Sequence, residues 1–198
     1  MTRASGVALV LIDVINAFDF PGATPLIRAA KRSAPKIELL TRNARESGAP
    51  VIYVNDNFGH WRSDFHMTVA ACTRPDRPGR VVAERLRPVE GDYFVLKPQH
   101  SGFYGTPLEL LLAHLRIHTL VLAGFATNIC VLFTANDAHM RGLNLVVPQD
   151  AVAANSPALS SKALEHVRVA LGGETPPSRH VDFRSFRGRK RKPRGQTF

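Results

Sequence analysis

Val7-Ala8-Leu9-Val10-Leu11-Ile12 places six apolar residues in a row, and the run stops on Asp13. A strand with one wet face alternates apolar and polar residues. One with no polar residue must be covered on both faces, as in a parallel sheet flanked by helices. The same form returns at Pro50-Val51-Ile52-Tyr53-Val54, Tyr93-Phe94-Val95-Leu96, Thr119-Leu120-Val121-Leu122-Ala123-Gly124 and Asn144-Leu145-Val146-Val147-Pro148. Helical stretches separate these runs. One spans 25–47 and is stopped by Gly48, with Pro35 predicting an interruption or kink. Another spans 106–115, with Thr106 as N-cap and Pro107 at the first helical position. Two more span 128–141, stopped by Gly142, and 157–171, closed by Gly172-Gly173. Residues 58–80 read as loop plus a short helix, and a short sixth strand is expected at 180–183. Strands alternating with helices make an α/β fold around a parallel sheet covered on both faces. With 198 residues and no internal repeat, one domain suffices.

Charge separates that domain from its C-terminus. The formal net charge is +10, but Arg184, Arg187, Arg189, Lys190, Arg191, Lys192 and Arg194 crowd the last fifteen residues with no acid among them. Without those seven, 19 basic side chains face 16 acidic ones, so the body is nearly neutral. The expected organisation is therefore a globular domain over 1–183 and a basic, disordered tail over 184–198. Such a tail is suited to nonspecific contact with nucleic acid or anionic surfaces. No apolar run is long enough for a membrane helix, and residues 1–6 carry no signal-peptide pattern, so the expected location is cytoplasmic. Two cysteines outside any CxxC pair, Cys72 and Cys130, fit free thiols in a reducing compartment.

In sheets of this kind, sites form beyond the carboxyl ends of the strands. Three reactive side chains stand there: Asp13, Lys97 and, after the turn at Gly124, Cys130. Singly, each has an ordinary reading: a turn aspartate, a surface lysine, a buried thiol. Together they supply a base, a cation and a nucleophile, the minimum set for covalent hydrolysis. Cys130 falls in the first turn of a helix, a placement expected to lower its pKa.

Three segments carry a resemblance. Ala8-Leu9-Val10-Leu11-Ile12-Asp13, Leu96-Lys97-Pro98-Gln99-His100-Ser101-Gly102-Phe103 and Leu122-Ala123-Gly124-Phe125-Ala126-Thr127-Asn128-Ile129-Cys130-Val131 resemble the three signature blocks of the isochorismatase-like hydrolases, in order. That family includes nicotinamidases and N-carbamoylsarcosine amidases. The resemblance implies a three-layer α/β/α fold with a central, mostly parallel sheet. It implies a catalytic triad of Asp13, Lys97 and Cys130, a cis peptide joining Phe125 to Ala126, and an oxyanion hole from the backbone N–H groups of Ala126 and Cys130. It further implies cleavage of a small amide or carbamoyl C–N bond through a thioester, no cofactor, and a homo-oligomer.

The pattern departs from the family at Asn128, which replaces an aspartate often found two residues before the cysteine, and more consequentially after the second strand. Nicotinamidases carry a metal site built on an Asp-x-His pair after the second strand. Here the stretch reads Asp56-Asn57-Phe58, and His60 and His66 are wrongly spaced to replace the missing histidine. No metal is expected, and nicotinamide is disfavoured as substrate. By position, Phe18, Trp61, Ser101 and Phe103 are candidate pocket residues. Two other readings stay open on this sequence: a non-catalytic or nucleic-acid-associated binding protein, and a vinyl-ether hydrolase of the isochorismatase type.

Overall fold

The five long apolar runs and one short one line up as a single parallel sheet. The computed structural model describes residues 6–59, 64–186 and 188–189. Its strands are β1 (Val7–Ile12), β2 (Val51–Asp56), β3 (Tyr93–Lys97), β4 (Thr119–Phe125), β5 (Asn144–Val146) and β6 (Val152–Ala153). They are ordered β3-β2-β1-β4-β5, with β6 pairing beside the end of β4. The chain builds outward from β1 to β3 and then returns to lay β4 against the other side of β1. This reversal opens a crevice at the carboxyl ends of β1 and β4, where open α/β sheets form their sites.

Every residue of β1 is fully buried, as an unbroken apolar run requires. Its side chains divide by parity between two cores. Val7, Leu9 and Leu11 pack with Ala30, Ala34 and Ile37 of helix α1 (Thr24–Glu46). Ala8, Val10 and Ile12 pack with Leu112 of α4 (Leu108–His114), Ala135 of α5 (Leu132–Met140) and Leu164 of α6 (Pro157–Val169). Two short helices, α2 (Phe65–Cys72) and α3 (Arg80–Arg85), fill the stretch before β3. The result is the three-layer α/β/α arrangement. No described helix is long and apolar enough to cross a membrane.

Three local expectations are corrected. Helix α1 is not interrupted at Pro35, which lies on its exposed face; there water can take over the carbonyl that loses its partner. Residues 180–183 form no strand. They join two 3-10 turns, Ser178–His180 and Phe183–Phe186, because the Asp182 carboxylate accepts the Arg184 N–H at 2.9 Å and closes a turn. The sixth strand is Val152–Ala153 instead.

The expected boundary after residue 183 falls inside packed structure. Phe183 and Phe186 both belong to the core on the α1 side. Arg189 lies over the Phe186 ring, 4.6 Å from its centroid, and pairs with Glu174. Described packing contacts therefore include Phe186 and Arg189, and residues 187 and 190–198 lie outside the described residues. Trp61 and His60 also lie outside them.

Candidate active site

Four strand ends and one helical turn converge at the crevice. Asp13 directly follows β1 with a positive φ of 50°, and its N–H donates to Val54 O at 3.0 Å. The last residue of β2, Asp56, donates its backbone N–H to Asp13 Oδ1 at 2.7 Å. Lys97 ends β3 in register with Asp56. Its side chain is wholly buried, and Nζ lies 2.9 Å from Asp13 Oδ2 and 3.3 Å from Asp56 Oδ2. Cys130 Sγ stands 3.8 Å from the same Nζ. The structure thus brings Asp13, Lys97 and Cys130 together, and adds Asp56.

A buried ammonium is costly without compensation. Here two carboxylates provide it, and the group stays a cation. Burial alone would lower the Lys97 pKa, but Asp13, the Cys130 sulfur and Asp56 outweigh it and hold the pKa above the usual lysine value. Burial pushes Asp13 the other way, above the ordinary carboxylate range, although Lys97 and the thiol partly offset it. Asp13 is accordingly a stronger base than an exposed aspartate. Burial, followed by the charge of Asp13, pushes the Cys130 thiol up to about 12 against the pull of Lys97. This corrects the expectation of a lowered thiol pKa from helix position. The resting sulfur carries its proton, and Asp13 is the neighbouring carboxylate whose charge it feels most strongly.

The turn that presents the thiol is unusual in its backbone. The peptide joining Phe125 to Ala126 is cis. Gly124 before it has φ +122°, and a Cβ there would sit 2.0 Å from Ile12 O, so only glycine lets β4 lie this close to β1. Cys130 lies in a π-helical turn, Thr127–Val131, that leads into α5. The Ala126 carbonyl accepts the N–H groups of Ile129 (3.1 Å) and Val131 (3.2 Å), a pair of bonds that steps over the N–H of Cys130. Single π turns of this kind recur at functional sites. Thr127 is tied to α6 through a 2.7 Å contact between its hydroxyl and that of Ser160.

The remaining expected site residues make contacts within the protein. Phe18 is 2% exposed and packs between Phe20 and Phe125, its ring 6.0 Å from the latter. Ser101 is buried and donates to Asp137. Phe103 is buried beneath the Arg141 guanidinium. All three brace the elements that carry Asp13, Lys97 and Cys130.

Asp56 escaped the sequence reading as a working part of this cluster. The signal is its place, since Asp56 ends β2 as Lys97 ends β3, whereas the Asp-x-His comparison bears only on a metal role. Its carboxylate is occupied: Oδ1 accepts the Phe58 N–H at 2.7 Å and Oδ2 faces Lys97. Phe58 offers no ligand atom, and the described residues contain no group of three or more His, Cys, Asp or Glu side chains arranged for a metal. His66 lies on α2 with its ring edge toward Phe94.

The isochorismatase domain family matches residues 7–175. The chain belongs to this family. The uncharacterized isochorismatase family protein YaaI of Bacillus subtilis is 40% identical over 149 residues, covering 75% of this chain and 81% of that protein. The ureidoacrylate amidohydrolase RutB of Methylorubrum extorquens is 31% identical over 195 residues, covering 85% and 79%. Among solved structures, the N-carbamoylsarcosine amidase of Thermoplasma acidophilum superposes with a TM-score of 0.68 at 31% identity, covering 89% of this chain and 98% of that one.

Proposed function

We propose that this isochorismatase-family hydrolase cleaves a small amide or carbamoyl C–N bond, with Cys130 as nucleophile, Asp13 as general base and acid, and Lys97 as the cation that steadies both. The observation that carries the reading is the position of Lys97 Nζ, 2.9 Å from Asp13 and 3.8 Å from Cys130 Sγ. Two similar proteins support the bond type through their names, an amidohydrolase and an amidase.

The chemistry follows from the charges. Asp13 takes the thiol proton as the sulfur attacks the carbonyl carbon; the raised pKa of Asp13 and the positive charge of Lys97 both favour the transfer. The tetrahedral oxyanion is received by backbone N–H groups at Ala126 and Cys130. Asp13 returns its proton to the leaving nitrogen, the C–N bond breaks, and a thioester remains on Cys130. Water, deprotonated by Asp13, then adds to the thioester, and the acid departs as the thiol regains its proton.

The test is ammonia or amine release across small amides, carbamoyl compounds and ureides. Wild-type protein should turn over at least one of them. Cys130→Ala should lose at least about a thousandfold in turnover with an unchanged thermal midpoint, and acid quenching of the wild type should trap an acyl adduct on Cys130. Full activity in the alanine variant would overturn the proposal.

A further inference from the structure

Lys97 and Cys130 come from elements that are not neighbours in the sheet. β3 is an edge strand, and β2 and β1 lie between it and β4, whose end leads to Cys130. The sheet relates the two strand ends only through two intervening strands, and Cys130 itself lies beyond it, in the turn after β4. A different connection links the two residues. The loop after Lys97 returns to the helix that carries Cys130, and the two meet at Thr134.

Thr134 is fully buried. Its hydroxyl donates to the Cys130 carbonyl at 2.7 Å, one turn back along the helix. The same oxygen accepts the Gly102 N–H at 2.9 Å. A hydroxyl has one proton to donate, and here it is used on the nucleophile's own residue, while a lone pair holds the lysine's loop. Back-bonding of a threonine to the carbonyl four residues earlier is common in helices, and Thr41 does so to Ile37 at 2.8 Å. Thr134 differs in adding a partner from another element.

The loop backbone is pressed onto this point. A Cβ on Gly102 would lie 3.0 Å from Val54 Cγ1, 3.2 Å from Leu108 Cδ2 and 3.5 Å from Thr134 Cγ2. The adjacent Ser101 hydroxyl donates to Asp137 Oδ2, one turn further along α5, and accepts the Phe103 N–H at 3.1 Å. Asp137 is in turn held by Arg141 at 3.0 Å, whose guanidinium covers Phe103. Two successive turns of one helix thus grip two successive residues of one loop.

We propose that Thr134 is a positioning residue that sets the distance from Lys97 to the Cys130 sulfur, with Ser101 and Asp137 as a second clamp. The catalytic consequence rests on the hydrolase reading above; the geometric one does not. Displacements of about 1 Å in a reacting constellation cost on the order of a hundredfold in rate, so one buried hydroxyl at this junction has leverage on the chemistry without touching substrate.

The experiment compares Thr134→Val, which keeps the branched shape and removes the hydroxyl, with Thr134→Ser, which keeps the hydroxyl and removes a methyl group. Thermal unfolding, kcat, KM and the pH profile of Cys130 alkylation by iodoacetamide are measured on each. Thr134→Val should lose about 10–100-fold in kcat with KM within about twofold of wild type. Its alkylation profile should move to higher pH, because a displaced Lys97 no longer favours the thiolate. Thr134→Ser should recover kcat to within about threefold and restore the profile, even if its thermal midpoint is the lower of the two. A folded Thr134→Val with wild-type kcat and alkylation overturns the proposal. So does a serine variant no better than the valine one. If Thr134→Val does not fold, Ser101→Ala tests the second clamp, with the same directions expected and unchanged behaviour counting against it. If the wild type turns over no amide, the hydrolase reading fails, while the alkylation profiles still decide the role of Thr134.

Discussion

At Lys97 Nζ, two carboxylates and a thiol share one buried cation, and the balance among them sets when the sulfur ionises. Asp13 cannot be removed without losing the proposed base. Asp56 can, because among the described residues its carboxylate is bonded to Lys97 and the Phe58 N–H and to neither Asp13 nor Cys130. Its negative charge raises the pKa of both Lys97 and Cys130. Replacing it with asparagine leaves one acceptor oxygen in place of two and deletes that charge. The sign then follows: with one fewer anion nearby, the thiolate is less disfavoured, and the Cys130 pKa falls from its raised position near 12. Lys97 stays charged, since Asp13 remains 2.9 Å away. Asp56→Asn should therefore shift the iodoacetamide alkylation profile of Cys130 to lower pH, with faster labelling at neutral pH. The rate measured across pH 6 to 10 checks this. A profile that stays put, or moves upward, would mean that solvent screens Asp56 from the sulfur.

At the scale of elements, the close approach of β1 and β4 decides whether the crevice exists. Ile12 faces Gly124 in the pairing register, and the Ile12 carbonyl occupies the space where a side chain would start. Gly124→Ala must push the strands apart just where Asp13 and the Phe125–Ala126 turn leave them. Gly91 is the natural control: its φ is +92°, yet nothing lies within 4 Å of a Cβ there. Gly91→Ala should cost about 1–2 kcal/mol from backbone conformation alone. Gly124→Ala should cost clearly more, read as the difference in urea midpoints. Equal costs would show that the strand ends yield easily. Much of this was legible beforehand. β1, β2, β4 and β5 were readable because buried runs contain few polar interruptions, and β3 because its run is as apolar although at the sheet edge it exposes Tyr93 and Phe94. Asp13, Lys97 and Cys130 were readable because each stands at or after the end of such a run. β6 was not, since two residues carry no pattern. The end of the chain was misread because Val181 and Phe183 suggest a strand, whereas Asp182 closes a turn through its side chain. Thr134 was invisible for another reason: a helix-interior threonine looks ordinary until tertiary packing brings Gly102 against it.

Across the whole molecule, the described packing runs past the point where the basic charge begins. Phe186 is 5% exposed and sits in the α1-side core with Phe183, Ile37 and Val51. Removing a buried phenylalanine side chain typically costs about 3–5 kcal/mol. The Arg189 pair with Glu174 is half exposed and adds little to that. The residues beyond it contain Lys190, Arg191, Lys192 and Arg194, four of the seven basic side chains of the segment. Two truncations therefore separate the roles. Ending the chain after Phe183 should lower the urea midpoint, as expected for loss of a core aromatic, even though Asp13, Lys97 and Cys130 are untouched. Ending it after Arg189 should leave the midpoint and kcat/KM at wild-type values, while the formal net charge falls from +10 by those four. Retention on heparin should then end at lower salt, because fewer cations displace fewer counterions. A stability loss in the longer truncation as large as in the shorter one would place the structural boundary beyond Arg189. Unchanged heparin retention would put the polyanion-binding charge on the folded body, where Arg28, Lys31, Arg32 and Lys36 line the exposed face of α1.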